Sequence, residues 1–211
     1  MTQLTWGGYG ERFYEVGIDR GVLYIPAQAG VAWNGLISVS ENPSGGEAKP
    51  YYLDGLKYLN IAAAEEFVAT LSAYSHPAQF GPCDGSKSVH NGLFVTQQPR
   101  ISFGLSYRTK VGSNASADHG YKIHLVYNAL VAPSQRPYRT LSDSADPTTL
   151  SWNLTTKPPS ITGYKPTAHL VIDTRTTSAE VLAEIEALLY GTEEDDATLP
   201  TPDEVIAIFA P

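Results

Sequence analysis

Arg100-Ile-Ser-Phe-Gly-Leu-Ser-Tyr-Arg-Thr109 and its return run, Tyr121-Lys-Ile-His-Leu-Val-Tyr-Asn-Ala-Leu-Val131, decide the reading of this chain. In the first run, apolar residues at 101, 103, 105 and 107 alternate with Ser102, Gly104, Ser106 and Arg108. In the second, Tyr121, Ile123, Leu125 and Tyr127 alternate with Lys122, His124 and Asn128, and only Val126 breaks the polar set. Successive side chains of a strand point to opposite faces, so both runs predict half-buried strands. The polar segment 111–120 between them carries Gly, Asn and Asp, which is turn chemistry. The expectation is a long antiparallel hairpin with one oily face and one small, polar face.

Working outward, residues 31–40 and 50–59 predict a second long hairpin. Its connecting loop would be Glu41, Asn42, Pro43, Ser44, Gly45, Gly46, Glu47, Ala48 and Lys49. Gly, Pro and Ser make such a loop exposed, and exposed loops on rigid hairpins often carry function. Asp19-Arg20-Gly21 predicts a tight turn, and residues 77–91 a loop. Further strands are expected at 67–74, 150–156 and 167–173. Thr177-Ser-Ala-Glu180 predicts a capping box opening a helix over 178–190, with Val181, Leu182, Ile185, Leu188 and Leu189 as its apolar stripe and Gly191 as its stop. Thr201-Pro-Asp-Glu204 predicts a second box and a short terminal helix. The expected organisation is a β-domain over 1–191 and an acidic linker with a short helix over 192–211.

The 211 residues suffice for a real core without staples, and the single cysteine, Cys83, allows no internal disulfide. No signal peptide is expected at the N-terminus, and no apolar run approaches the ~20 residues of a membrane span. A soluble protein is therefore the default. The net charge is −8, and nine of the 22 acids follow Arg175, after which no Lys or Arg occurs. The body is close to neutral, with no basic excess of the kind that grips nucleic acid.

Catalytic patterns are not evident. His76, His90, His119, His124 and His169 form no zinc-type spacing, and Cys83 has no partner cysteine. His124 and His169 fall mid-strand, where packed or solvated histidines are usual. The glycines at 7–10 lack a dinucleotide-binding spacing, and no nucleophile elbow is present. No enzyme activity, metal or cofactor is expected.

Several stretches do resemble a known family. Phe103-Gly-Leu-Ser-Tyr-Arg-Thr109, Gly120-Tyr-Lys-Ile-His-Leu-Val-Tyr-Asn128, Lys165-Pro-Thr-Ala-His-Leu-Val-Ile-Asp173, Gly35-Leu to Tyr52-Leu-Asp-Gly-Leu-Lys57, and Phe67 to Phe80-x-x-Cys-Asp-Gly85 are similar to the major tail protein (tail tube protein) of long-tailed siphophages infecting Gram-positive hosts. The resemblance implies a mainly β fold, a tail-tube-type β-sandwich or barrel with long hairpins, a flanking α-helix and a short C-terminal helix. It implies homo-hexameric rings stacked into a hollow tube around a tape measure protein, with tail terminator and distal tail proteins as neighbours. Genomic DNA would pass through without sequence-specific binding, and no membrane is involved. The place implied is the virion tail, assembled in the host cytoplasm. On this reading the 41–49 loop contacts the next ring. Ser102, Gly104, Ser106, Arg108, Lys122, His124 and Asn128 are then candidates for a channel-facing hairpin face. The near-neutral body departs from the negative lumen usual in such tubes. The alternative is a β-sandwich binding module of a phage virion, such as a receptor-binding or decoration protein.

Overall fold

The hairpin forms where the alternation places it. The structure is a computed structural model and describes residues 4, 6–45, 48–61, 64–138, 140 and 146–210. In chain order its strands are β1 (Phe13–Tyr24), β2 (Val31–Ala32), β3 (Leu36–Glu41), β4 (Ser44–Gly45), β5 (Lys49–Leu53), β6 (Leu56–Ile61), β7 (Glu65–Glu66), β8 (Val68–Ala73), β9 (Lys87–His90), β10 (Leu93–Val95), β11 (Phe103–Ser113), β12 (Gly120–Val131), β13 (Leu150–Thr156) and β14 (His169–Asp173). Two helices follow, α1 (Ala179–Tyr190) and α2 (Pro202–Phe209). The fold is mainly β: one eight-stranded antiparallel sheet, ordered β2-β1-β11-β12-β13-β8-β3 with β14 branching from β12, and two helices on one of its faces.

The register of the central hairpin corrects its expected faces. Leu105 stands opposite Val126, Ser106 opposite Leu125 and Tyr107 opposite His124. Directly opposed residues share a face, so from Leu105 onward each odd-numbered residue of β11 faces an even-numbered one of β12, while a register shift sets Phe103 opposite Ala129. The two apolar sets therefore lie on opposite sides of the sheet. Phe103, Leu105 and Tyr107 join Val126, Leu71, Trp33, Phe80 and Trp152 in an inner core. Ile123, Leu125 and Tyr127 join Val22, Tyr24, Ile172, Ile185, Leu189 and Val205 in a second core beneath the helices. Val126, the exception to the sequence pattern, is 1% exposed because it belongs to the inner core. The sheet curls around that core until β3 lies against β1.

The expected pairing of 31–40 with 50–59 is also corrected. β3 pairs with β8, β4 with β7 and β5 with β6, so these six strands make one long hairpin in three ladders. Its tip is Asp54-Gly55, with φ of 51° and 76°; two successive positive φ values suit a primed hairpin turn, whose twist matches the strands. Residues 77–91 are not all loop. After a 3-10 turn at Ala78–Phe80, β9 and β10 make a small hairpin around Asn91-Gly92. Asp19-Arg20-Gly21 is no turn either. It lies inside β1, where the register shifts between Asp19 and Val22, so the extra residue is absorbed as a bulge.

The strand at 150–156 forms over its whole expected length, and that at 67–74 forms over Val68–Ala73. Helix α1 starts one residue later than its sequence signal. Ser178 is the N-cap, accepting from the Val181 N–H, while Thr177 donates instead to the Asp173 carbonyl. The capping box of Thr201 and Glu204 is present in full. Residues 192–210 pack back onto the helix-side core through Leu199, Val205 and Ile208. The Thr198 N–H donates to Leu188 O, and the Gly30 N–H to Ala197 O.

Candidate functional site

The seven hairpin residues expected on one polar face are distributed over both faces and one end of the sheet. Gly104, Ser106 and Arg108 lie on the helix side. A Cβ at Gly104 would collide with Leu199, so the small residue there admits the C-terminal segment. Ser106 is buried and shares a 3.0 Å hydrogen bond with the Tyr24 hydroxyl, which donates to Leu189 O at 2.8 Å. Arg108 grips Asp19 through two bonds of 2.8 and 3.0 Å, lies 4.3 Å over the Tyr121 ring, and stands 3.7 Å from Glu186. These residues are small or charged because helices and a linker pack on them. Ser102 and Asn128 are exposed at the far end, lining a groove beside Pro159.

Lys122 and His124 lie on the other side of the sheet, facing a cleft of about 600 Å³ between β1, β3, β11, β12 and β14. Lys122 is paired with Glu15. That hydrogen bond, more than any other cause, holds the Glu15 carboxyl below its ordinary value. His124 Nε2 is 3.0 Å from Thr109 Oγ1, and its Nδ1 is 3.1 Å from His169 Nε2. Glu41 Oε1 completes the group, 3.6 Å from His124 Nδ1 and 3.8 Å from His169 Nε2, while accepting from the Tyr107 hydroxyl at 2.8 Å. Burial, reinforced by His169, pushes His124 down to about 4, and burial likewise lowers His169. Burial thus favours the uncharged form of both rings. Burial, then the Glu41 carboxylate, raises Tyr107.

The 41–49 segment is not the tip of a hairpin. Glu41 ends β3, the Asn42 N–H donates to Val68 O at 2.7 Å, Ser44 and Gly45 pair with Glu66 and Glu65, and Lys49 pairs with Ile61. Pro43 and Ala48 are exposed, and Gly46 and Glu47 lie outside the described residues. The protruding element is the arm of β5 and β6, exposed at every residue from 49 to 61. Tyr52, Leu56 and Tyr58 are 66%, 74% and 70% exposed, and Tyr51, Leu53 and Ile61 are exposed beside them. Sequence reasoning read residues 50–59 as the single return strand of a hairpin with 31–40. Asp54-Gly55 was the local signal that it turns back on itself. The cluster of Glu41, His124 and His169 had no such signal, since its members come from three strands 83 and 45 residues apart. Cys83 is buried, and burial pushes its thiol up to about 12, so it is an inert core thiol.

No protein-family model matches this chain, and no curated protein matches it. Among solved structures, the chain is similar to one from the cryo-EM structure of an extracellular contractile injection system, the PVC sheath–tube complex in its extended state. The identity is 11%, the coverage 74% of this chain and 89% of that one, and the TM-score 0.35. At that score the likeness carries no argument about function.

Proposed function

We propose that this chain is a self-assembling structural subunit, the tail tube protein of a long, non-contractile phage tail. Six copies close a ring, and rings stack into a hollow tube around a tape measure protein. Genomic DNA later passes through without sequence-specific contacts, and tail terminator and distal tail proteins bound the tube. The subunit joins the virion tail after folding in the host cytoplasm. The observation that supports this most is the arm. A two-stranded hairpin alone is marginal in water, and one that exposes Tyr52, Leu56 and Tyr58 needs a neighbour to cover it. A second copy offers a counterpart in Phe13, Tyr14 and Val16, which are exposed on β1. Such a contact between unlike surfaces closes by rotation or propagates as a filament, the two modes a ring-stacked tube requires. β14 pairs only with β12 among the described residues, leaving an edge for pairing between subunits. Among the described residues no helix is long and apolar enough to cross a membrane.

Electron microscopy of the purified protein tests the reading. Rings or tubes are expected from the native chain. The double substitution Leu56→Glu and Tyr58→Glu should keep the circular dichroism spectrum and abolish them. A native protein that stays a monodisperse monomer or trimer and binds glycans would overturn the reading in favour of a virion binding module.

A further inference from the structure

We propose that Glu41, His124 and His169 form a site for a divalent transition-metal ion of the zinc type, at the foot of the arm. Their facing atoms, His124 Nδ1, His169 Nε2 and Glu41 Oε1, form a triangle with sides of 3.1, 3.6 and 3.8 Å. A triangle of those sides has its centre about 2.0 Å from each corner, which is the bond length zinc makes to imidazole nitrogen and carboxylate oxygen. Two imidazoles and one carboxylate are a donor set that divalent zinc, cobalt and iron share, and they leave a coordination position free for water from the cleft.

The surroundings fix His124 in the state a metal requires. Thr109 Oγ1 donates to Glu15 Oε2 at 3.2 Å, so its lone pair is what His124 Nε2 meets at 3.0 Å. The His124 ring proton therefore sits on Nε2, and the Nδ1 lone pair faces the cluster. Tyr107 lies parallel to the His124 ring, with centroids 4.6 Å apart, and Phe67 packs 4.5 Å from the His169 ring. The Tyr107 hydroxyl uses one lone pair of Glu41 Oε1 and leaves the other available. Lys122, the cation on the same face, is occupied by Glu15. The centroids of His124 and His169 are 5.3 Å apart at an interplanar angle of 12°. With the nitrogens 3.1 Å apart and both rings uncharged, His169 Nε2–H donates to the lone pair on His124 Nδ1. A cation binds once the His169 ring proton moves from Nε2 to Nδ1, which frees a lone pair on each ring beside Glu41.

The location gives the site a mechanical role. Glu41 ends β3, where the chain leaves the main sheet toward β4 and the arm, while His124 and His169 sit on paired strands across the cleft. A bound ion joins the base of the arm to β12 and β14, and so fixes the direction in which the arm projects.

The test uses the full chain, stripped with chelator and titrated with cobalt(II) as probe. One ion per chain with visible d–d absorption is expected, displaced by an equivalent of zinc, and zinc should raise the melting temperature. His169→Gln and Glu41→Gln should each weaken cobalt binding at least tenfold, with near-ultraviolet circular dichroism confirming the fold. Thr109→Val removes the partner of His124 Nε2 without touching a ligand, and should weaken binding about 10–100-fold, as outer-shell changes do. Absence of cobalt binding, or binding that survives His169→Gln and disappears on replacing His76, His90 and His119, overturns the site. Tube formation does not enter this measurement, so it stands or falls separately from the assembly reading.

Discussion

Arg108 shows how a residue acquires its role from register. Read along β11 it alternates with tyrosine and leucine, as a surface residue would. In the sheet it stands opposite Ile123 on the helix side, holding Asp19 across the β1 bulge. That hydrogen bond, followed by the charge of Arg108 and Lys110, keeps the Asp19 carboxyl below its ordinary value against the opposing effect of burial. A depressed carboxyl contributes stability that is fully present above its unfolded value and lost as pH falls through its folded value. Urea unfolding of the native chain and Asp19→Asn should therefore differ most above about pH 4, the ordinary carboxylate range, and converge as pH falls below it. A difference that stays constant from neutral pH to strong acid would show that the ionised pair contributes nothing.

Elements were legible in the sequence to the degree that their cause is local. The capping box at Thr201 rests on residues three apart and forms as read. The alternation of β8 and β13 buries Ala69, Leu71, Trp152 and Leu154, as a period of two requires. Pairing and register were not legible, because alternation fixes which residues share a face within a strand but not which face meets the partner. The hairpin at 100–131 was recovered as two strands, while its supposed polar wall dissolved once odd residues faced even ones. The arm was missed for a related reason, since 50–59 was read as one strand straight through the Asp54-Gly55 turn. The cluster of Glu41, His124 and His169 depends on the closing of the sheet, and no spacing announces that. Helix α1 offers a graded test of burial. Leu189 is fully buried against the sheet and Leu188 only half-buried. Leu189→Ala should cost about 2–5 kcal/mol in urea unfolding. Leu188→Ala should cost less, because less apolar area returns to water. Equal costs would mean that the stripe is covered more widely than by the sheet of one chain, as docking on a neighbour would do.

At the scale of the molecule, the asymmetry of charge has a fixed location. Glu193, Glu194, Asp195 and Asp196 are all exposed, on a turn that Thr192 holds by accepting from the Glu194 and Asp195 N–H groups. The turn follows α1 and is tied down on its far side by Ala197 and Thr198, so these acids project from the helix side and not from the cleft beneath the arm. In the hexameric ring proposed above, repetition would concentrate them if the helix side lined a lumen. Spread over an outer surface, they keep neighbouring filaments apart over the ~8 Å screening length of physiological salt. We expect the external arrangement. Neutralising the four acids to Gln and Asn should leave ring assembly intact and make tubes bundle at low ionic strength, visible by light scattering and microscopy. Added salt should bring native tubes toward the same behaviour, because it screens the repulsion that the substitutions remove. Tubes of the neutralised chain that stay dispersed at low salt, while delivery of DNA in an infection assay falls, would place the acids on the channel wall instead.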